Sequence, residues 1–118
     1  MGSKPYVRGN GEKKMIIAVD FDGVIVEDKF PDIGEPNRYI IERLKELKAH
    51  GDQLILWTCR DGERLKTAVE FCVNSLDLHF DAINENLDEI KIIWGNDTRK
   101  VYADAYWDDK AVKVYNAF

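Results

Sequence analysis

The apolar positions of the chain form two kinds of pattern, short continuous runs and helical repeats. Met15 to Val19 and Leu54 to Trp57 are continuous apolar runs of strand length, which is typical of strands covered on both faces. Four apolar residues between these runs recur at helical spacing: Ile40, Ile41, Leu44 and Leu47. The first half of the chain therefore predicts a strand, a helix and a parallel second strand.

The predicted helices have recognisable ends. Glu35-Pro36-Asn37 predicts the beginning of the first helix with proline in its first turn, and Gly51 predicts its end. A second helix is predicted after Asp61-Gly62, where six residues follow the i, i+3, i+4 rule: Leu65, Ala68, Val69, Cys72, Val73 and Leu76. This helix leads toward a third strand.

The second half of the chain continues the alternation. His79 to Ile83 predicts a third strand, Asn86 to Trp94 a short helix opened by Asn86 and closed by Gly95, and Val101 to Trp107 a last strand. Alternating strands and helices of this length predict an α/β fold, a three-layer α/β/α Rossmann-like sandwich with a mainly parallel sheet. We expect the three tryptophans to fill its core: Trp57, Trp94 and Trp107.

Length and composition limit the domain organisation. With 118 residues, of which 45% are hydrophobic, the chain has room for one core and no cap domain of ordinary size. Residues 1–14 show no periodicity and carry a local excess of basic side chains, so we interpret them as a disordered arm or a cloning remnant. Residues 15–118 are the predicted single domain.

Charge and cysteine content narrow the function classes. The net charge of −5 repels a phosphate backbone, so general nucleic-acid binding is disfavoured. Cys59 and Cys72 have neither metal-site nor disulfide-framework spacing, which indicates reduced thiols. No run is long enough to span a membrane and no signal peptide is recognisable, so we predict a cytoplasmic protein.

Acidic and polar residues follow the predicted strands at the point where each strand ends. Asp20 and Asp22 leave the first strand two residues apart, with their side chains on the same side, and Thr58 ends the second strand. Asp108 and Asp109 end the last strand. Because ligands of such sheets bind outside the carboxyl ends of the strands, we expect these residues to converge on one edge.

In these residues the chain resembles the haloacid-dehalogenase-like (HAD) superfamily of phosphotransferases. Its four motifs occur here in order, as the stretch Ala18 to Val24, the stretch Leu54 to Thr58, Lys100, and the stretch Tyr106 to Asp109. Arg60 together with the stretch Lys100 to Val112 resembles small capless members described as capsule-biosynthesis or hypothetical phosphatases. The resemblance extends from residue 15 to about residue 112.

The resemblance implies a role for each matching residue. Asp20 would be the nucleophile that forms an aspartyl-phosphate, and Asp22 would protonate the leaving oxygen and then activate water. Mg²⁺ would be held by Asp20, Asp108 and the backbone carbonyl of Asp22. The Thr58 hydroxyl and the Lys100 ammonium would bind the phosphoryl oxygens.

Several assignments within this resemblance stay open. Residue 24 is valine where the family more often has threonine, a change that we do not interpret as inactivating. Asp109 is either a residue behind the metal ligands or a cap, and Arg60 either holds a substrate anion or is an exposed loop residue. Lys91 competes with Lys100 for the lysine role. Asp104, at the opposite strand end, is expected to make a structural hydrogen bond.

The resulting hypothesis is a Mg²⁺-dependent phosphomonoester hydrolase, with sugar phosphates, nucleotides and phosphorylated macromolecules all open as substrates. Without a cap, water must be excluded by the loop of residues 24–35, by a partner subunit or by the substrate, which makes a homo-oligomer or a macromolecular substrate plausible. The alternatives are a receiver-like signalling domain and a catalytically silent scaffold that retains the fold.

Overall fold

Four short parallel strands form the centre of the computed structural model, which describes residues 14–112 and residue 114. The strands are β1 (Ile16–Val19), β2 (Gln53–Leu56), β3 (Ala82–Ile83) and β4 (Ala105–Trp107). Three helices connect them: α1 (Arg38–Ala49), α2 (Gly62–Glu70) and α3 (Asp88–Trp94). A π-helical turn, Phe71–Ser75, continues α2.

The strand order β3-β2-β1-β4 creates a switch point beside β1. From β1 the chain moves outward through β2 to β3, and it then returns to place β4 on the other side of β1. Val19, the last residue of β1, is paired with Leu56 on one side and Trp107 on the other. Three strands therefore end together, where open parallel sheets bind their ligands.

Helices cover both faces of the sheet. On one face the side chains of β1 and β2 pack against α1 and α2 in a cluster that includes Ile17, Leu54, Leu44 and Ala68. On the other face Ala18 and Ile55 belong to a cluster with Ile90 of α3. Because each strand is buried on both faces, its sequence is a continuous apolar run. The predicted three-layer α/β/α fold is confirmed.

The ends of the helices follow the polar residues of the sequence. The Asn37 side chain caps α1 by accepting a hydrogen bond from the Ile40 N–H at 3.3 Å, so Pro36 precedes the cap and does not lie in the first turn. Gly95 ends α3 with a φ of +79°, as predicted. Asn86 does not cap α3, and the cap position is held by Leu87.

The last two strands are shorter than the sequence predicts. Before β4, the backbone of residues 101–103 is bonded to side chains: the Tyr102 N–H donates to Asn86 Oδ1 at 2.7 Å, and the Tyr106 hydroxyl donates to the Val101 carbonyl at 2.6 Å. These bonds replace a strand ladder. Asp104 accepts the Ile16 N–H at 2.7 Å, which confirms its expected structural role.

Other predictions have mixed outcomes. Trp57 and Trp107 pack against the core clusters, but Trp94 is 62% exposed, so its predicted core position is wrong.

Residues 1–13 of the predicted arm lie outside the described residues, whereas Lys14 donates to the His50 carbonyl at 2.8 Å. Among the described residues, no helix is long and apolar enough to cross a membrane.

We expect Asn86→Ala to destabilise the protein by about 2–3 kcal/mol. The substitution leaves without partners the polar groups that now form hydrogen bonds with this buried amide. Asn86 is 1% exposed and bonds to Asp97, Thr98 and the backbone of Tyr102. Urea unfolding measures the change. The exposed Asn96 supplies the matched control, since Asn96→Ala should alter the unfolding free energy by less than about 0.5 kcal/mol. Equal effects of both substitutions would contradict this account.

Candidate functional site

Three carboxylates meet at the shared end of β1 and β4. Asp20, Asp108 and Asp109 each offer one oxygen, and these oxygens lie within 4.8 Å of one another. The Asp20 N–H donates to the Trp107 carbonyl at 3.0 Å, so the backbone itself extends the pairing of the two strands to the point where these side chains diverge. We call these three residues the carboxylate cluster.

Gly23 allows the close approach of Asp109. Its φ is +93°, a conformation that favours glycine, and a Cβ atom built on it would lie 2.4 Å from Asp109 Oδ2. Any side chain here would therefore displace the Asp109 carboxylate. The glycine of the Asp-x-Asp-Gly motif is required for the cluster as well as for the turn.

The surroundings of Asp20 perturb its acidity. The pKa of Asp20 is raised from an ordinary value of 3.8 to about 6, chiefly by burial. A hydrogen bond from the Phe21 N–H opposes this rise, and the neighbouring Asp108, Asp22 and Asp109 carboxylates add to it. The bond from Phe21, at 2.7 Å, reaches Oδ1 and orients the carboxylate. A partly buried carboxylate with a raised pKa is typical of functional sites.

Asp22 is held by a buried ion pair with Arg60. Arg60 Nε donates to Oδ2 and Arg60 Nη2 donates to Oδ1, both at 2.8 Å, which is the bidentate geometry of a strong charge-assisted contact. The Arg60 side chain is only 1% exposed. The hydrogen bond with Asp22 raises the pKa of Arg60 above its ordinary value, so the guanidinium stays charged despite its burial.

The remaining donors of Arg60 bind the loop that follows β1. Its Nη2 and Nη1 atoms donate to the carbonyls of Asp32 and Pro31 at 2.9 and 3.3 Å. Its guanidinium carbon also lies 5.0 Å from the Phe21 ring centroid and 5.1 Å from that of Phe30. Arg60 thus joins three chain segments that meet at the site.

Thr58 and its neighbours are positioned by Asn84, which follows β3. Asn84 Oδ1 accepts the Thr58 N–H at 2.8 Å, and Asn84 Nδ2 donates to the Arg60 carbonyl at 3.4 Å. The Thr58 hydroxyl accepts the Arg60 N–H at 3.2 Å. Asn84 has a φ of +54°, which asparagine tolerates better than most residues. The third strand therefore fixes the loop after the second.

Two cavities meet at Asp20. The first, of about 310 Å³, is lined by Asp20, Asp22, Asp28, Phe30, Thr58, Cys59, Arg60 and Lys110. The second, of about 400 Å³, is lined by Asp20, Trp57, Thr58, Cys59, Asn84 and Asp108. The two share Asp20, Thr58 and Cys59, so a group bound against Asp20 has access from both sides. Cys59 is a free, exposed thiol, whereas burial raises the pKa of Cys72 to about 12.

The structure brings six of the seven predicted site residues together and leaves one outside. The six are Asp20, Asp22, Thr58, Arg60, Asp108 and Asp109. Lys100 lies elsewhere, in a cavity beside Trp94, with its ammonium 5.2 Å from the Tyr106 ring centroid. Lys91 of α3 pairs with Glu85, which precedes that helix.

A different lysine lies at the site. Lys110 lines the cavity of about 310 Å³, and its Nζ is 3.6 Å from Asp109 Oδ2 and 4.0 Å from Asp28 Oδ2. The sequence carried a signal for it, because Lys110 directly follows Asp108-Asp109 at the same strand end. Asn84 and Phe30 carried no comparable signal, since each comes from a loop whose path depends on tertiary packing.

Comparison with known proteins identifies a structural relative. The chain is similar to a conserved protein from Bacteroides thetaiotaomicron whose structure is solved, with 43% sequence identity and a TM-score of 0.75. The similarity covers 85% of this chain and 79% of that one. No protein-family model and no curated protein matches the sequence. At this identity and coverage the two chains share their fold over most of their length.

We expect Asp20→Asn to stabilise the protein in the presence of a chelator. Because the folded-state pKa of Asp20 is about 6 and its ordinary value is 3.8, folding must keep an unfavourable charge above pH 6, and this penalty disappears below about pH 4. The shift corresponds to at most about 3 kcal/mol, which partial exposure reduces to about 1–2 kcal/mol.

Thermal unfolding as a function of pH measures this effect. At pH 7.5 the variant should melt roughly 4–8 °C above the wild type, and the difference should shrink as the pH falls to about 4. Asp61→Asn, at an exposed position outside the cluster, is the control. A difference that grows toward low pH would contradict the assigned cause.

Proposed function

The chain belongs to the same family as the conserved protein from Bacteroides thetaiotaomicron, and we propose that it is a Mg²⁺-dependent phosphomonoester hydrolase of the haloacid-dehalogenase-like type. The observation that carries the proposal is the carboxylate cluster, in which partly buried Asp20 lies at the end of β1 with two further carboxylates from the end of β4. Thr58, from the end of β2, lines the same cavities.

The donor set of the cluster fits a hard divalent cation. Three carboxylate oxygens within 4.8 Å of one another match the oxygen ligands that Mg²⁺ prefers. When bound, Mg²⁺ would neutralise part of the negative charge that Asp20 and a phosphate share. Asp20, Asp108 and Asp109 are the side chains that would hold it, with the Asp22 backbone carbonyl as a further oxygen. Asp109 thus enters the proposed ligand set.

Asp20 is the proposed nucleophile. The Phe21 N–H fixes Oδ1, which limits the rotation of the carboxylate, and the raised pKa of about 6 leaves most of the group ionised at neutral pH. Attack of a carboxylate oxygen on phosphorus forms the aspartyl-phosphate and breaks the bond to the leaving oxygen. Water then hydrolyses the acyl phosphate and restores the carboxylate.

Asp22 is the proposed acid and base in these two steps. Both of its oxygens accept hydrogen bonds from Arg60, so the carboxylate is oriented before substrate binds. To act as the acid, Asp22 must first take up a proton at Oδ1 or Oδ2, which requires the corresponding Arg60 bond to lengthen. It then gives this proton to the leaving oxygen and recovers one from the water that hydrolyses the acyl phosphate. Arg60 keeps its contacts with the Pro31 and Asp32 carbonyls meanwhile, so the guanidinium remains in place.

Lys110 and Thr58 are the proposed phosphate-binding side chains. A phosphoryl group bound next to four carboxylates needs a positively charged side chain to offset their negative charge. The Lys110 ammonium lies at the cavity that Asp20 lines, whereas Lys100 lines a different cavity. The Thr58 hydroxyl accepts a bond from the Arg60 N–H and retains its own proton for a phosphoryl oxygen.

The rival classes are less well supported. In a receiver-like domain the phosphorylated aspartate follows a strand from the middle of the chain. At that position this chain has Thr58, which follows β2. A silent scaffold has no use for Asp20, whose ionisation is disfavoured by burial and by the surrounding carboxylates. A charged cluster with this energetic cost favours catalysis over scaffolding.

A phosphate-release assay tests the proposal. With Mg²⁺, the protein should hydrolyse p-nitrophenyl phosphate or a member of a panel of sugar, nucleoside and peptide phosphates, and a chelator should abolish the activity. Asp20→Asn should lower kcat/KM by about 10³-fold or more, because the amide is no nucleophile. Turnover that survives either the chelator or Asp20→Asn would refute the mechanism.

A pair of lysine substitutions tests the assignment of the phosphate-binding cation. Lys110→Ala should lower kcat/KM by roughly 10–100-fold, since it removes a charge from the transition state. Lys100→Ala, the matched control, should leave kcat/KM within about twofold of the wild type. The reverse ranking would restore Lys100 to the role that the sequence resemblance implies.

A further inference from the structure

Exposed apolar side chains gather at the end of α3 and beside β4. Ile93 is 73% exposed and Trp94 is 62% exposed, and the rings of Tyr102 and Tyr106 are partly exposed as well. Trp94, Tyr102 and Tyr106 line a cavity of about 270 Å³, while Ile93 and Tyr102 line a second one of about 360 Å³. Because Tyr102 belongs to both cavities, the four side chains form one continuous surface, which we call the α3–β4 surface.

The apolar area of the α3–β4 surface approaches that of a protein interface. With roughly 150–250 Å² for a whole aromatic side chain, the exposed fractions of the three rings correspond to about 200–350 Å². Ile93 adds on the order of 100 Å². One partner of a standard interface contributes about 800 Å², of which roughly 57% is apolar. The four side chains therefore supply a large part of this apolar area, and Trp and Tyr are typical of interface hot spots.

The tyrosine hydroxyls of this surface already have partners within the chain. Tyr102 donates its hydroxyl hydrogen to Asp104 Oδ1 at 2.9 Å, and Tyr106 donates its own to the Val101 carbonyl at 2.6 Å. Covering the two rings would therefore desolvate no unpaired hydroxyl. This arrangement favours an apolar protein surface as the occupant over a small polar ligand that needs free hydrogen-bonding groups.

The charges at the two ends of the α3–β4 surface have opposite signs. At one end the Lys100 ammonium lies 5.2 Å from the Tyr106 ring centroid, and within the part of the chain that the structure describes no carboxylate oxygen lies within 4.0 Å of it. The other end, on the far side of Tyr102, is lined by one lysine and two carboxylates, which leave a net charge of −1: Lys14, Glu89 and Asp104. Lys14 donates to a backbone carbonyl there.

A surface with this charge pattern is complementary to itself. In a two-fold symmetric dimer both subunits use the same surface, and each end meets the opposite end of the partner's surface. We infer that the protein forms a homodimer through the α3–β4 surface, in which Lys100 of each subunit pairs with Glu89 of the other. Tyr102, which lies between the two charged ends, packs near the two-fold axis.

The position of this surface separates it from the carboxylate cluster. Tyr102 and Asp104 precede β4, whereas Asp108 and Asp109 follow it, so the surface and the cluster lie toward opposite ends of the strand. β4 is also an edge strand of the sheet, and edge strands are commonly covered. The dimer therefore covers this edge and leaves both candidate sites open, so the inference does not depend on the proposed hydrolysis.

A matched pair of isoleucine substitutions tests the interface by analytical ultracentrifugation. The wild type should sediment as a dimer of twice the chain mass of 13.6 kDa and dissociate on dilution. Ile93→Asp should raise the dissociation constant by about 100-fold or more, because it buries a carboxylate in an apolar contact. Ile92→Asp is the control, since Ile92 is 81% exposed on the same helix but lines neither cavity. It should change the dissociation constant by less than about threefold.

Charge reversal tests the pairing and the symmetry of the dimer. Lys100→Glu alone and Glu89→Lys alone each place like charges opposite one another, so each should raise the dissociation constant by about tenfold or more. An equimolar mixture of the two variants should associate with nearly wild-type affinity. In the mixed dimer the introduced glutamate faces the introduced lysine, and the two unchanged residues face each other.

Three outcomes would overturn the inference. They are a wild type that sediments as a monomer at every concentration, equal effects of Ile93→Asp and Ile92→Asp, and a mixture of the charge variants that associates no more tightly than either variant alone. Circular dichroism verifies that each variant is folded, which the exposure of Ile93 leads us to expect. Because every readout is a molecular mass, absence of phosphatase activity would refute the proposed function and leave the dimer untouched.

Discussion

The buried ion pair between Arg60 and Asp22 is the contact on which the architecture of the site depends. A buried guanidinium is costly unless its donors are satisfied. Here Asp22 accepts two bonds, and the backbone carbonyls of Pro31 and Asp32 in the neck loop (residues 27–35) accept others. The segments after β1 and β2 and the neck loop are thereby joined at one charged group. Loss of either partner would leave an unpaired charge in the interior and release all three segments.

The Asp22 and Asp20 carboxylates of the site have different surroundings. Asp22 has its counter-ion, whereas Asp20 is partly buried among carboxylates and has a pKa raised to about 6. The Lys110 ammonium lies near Asp109 and Asp28 and offsets part of the negative field. The cluster therefore keeps an excess of negative charge that the protein does not itself neutralise, and such a site favours a divalent cation. This excess connects the electrostatics of the cluster with the proposed Mg²⁺-dependent hydrolysis.

The contacts of the neck loop bear on what covers the site. A phosphatase without a cap needs another way to exclude water, and the sequence left three possibilities open: the loop of residues 24–35, a partner subunit and the substrate itself. Contacts with Arg60 and the bond from the Glu27 N–H to the Glu35 carbonyl favour the loop itself. This arrangement depends on two glycines. Because Gly23 and Gly34 have no side chain, the Asp109 carboxylate can lie close to Gly23 and the Glu27 carbonyl close to Gly34.

Local patterns in the sequence determined the strand and helix order, the two-sided burial of β1 and β2, and the gathering of Asp20, Asp22, Thr58, Asp108 and Asp109 at one sheet edge, because hydrophobic periodicity and strand direction are properties of short segments. Only the tertiary structure decided which charged groups meet. Lys110, and not Lys100, lines the cavity beside Asp20. Arg60 is buried by its bonds to Asp22 and to the Pro31 and Asp32 carbonyls, and Asn86 and Tyr106 bind the backbone of residues 101–103 ahead of β4. Such contacts join residues far apart in the chain, and no local pattern encodes them.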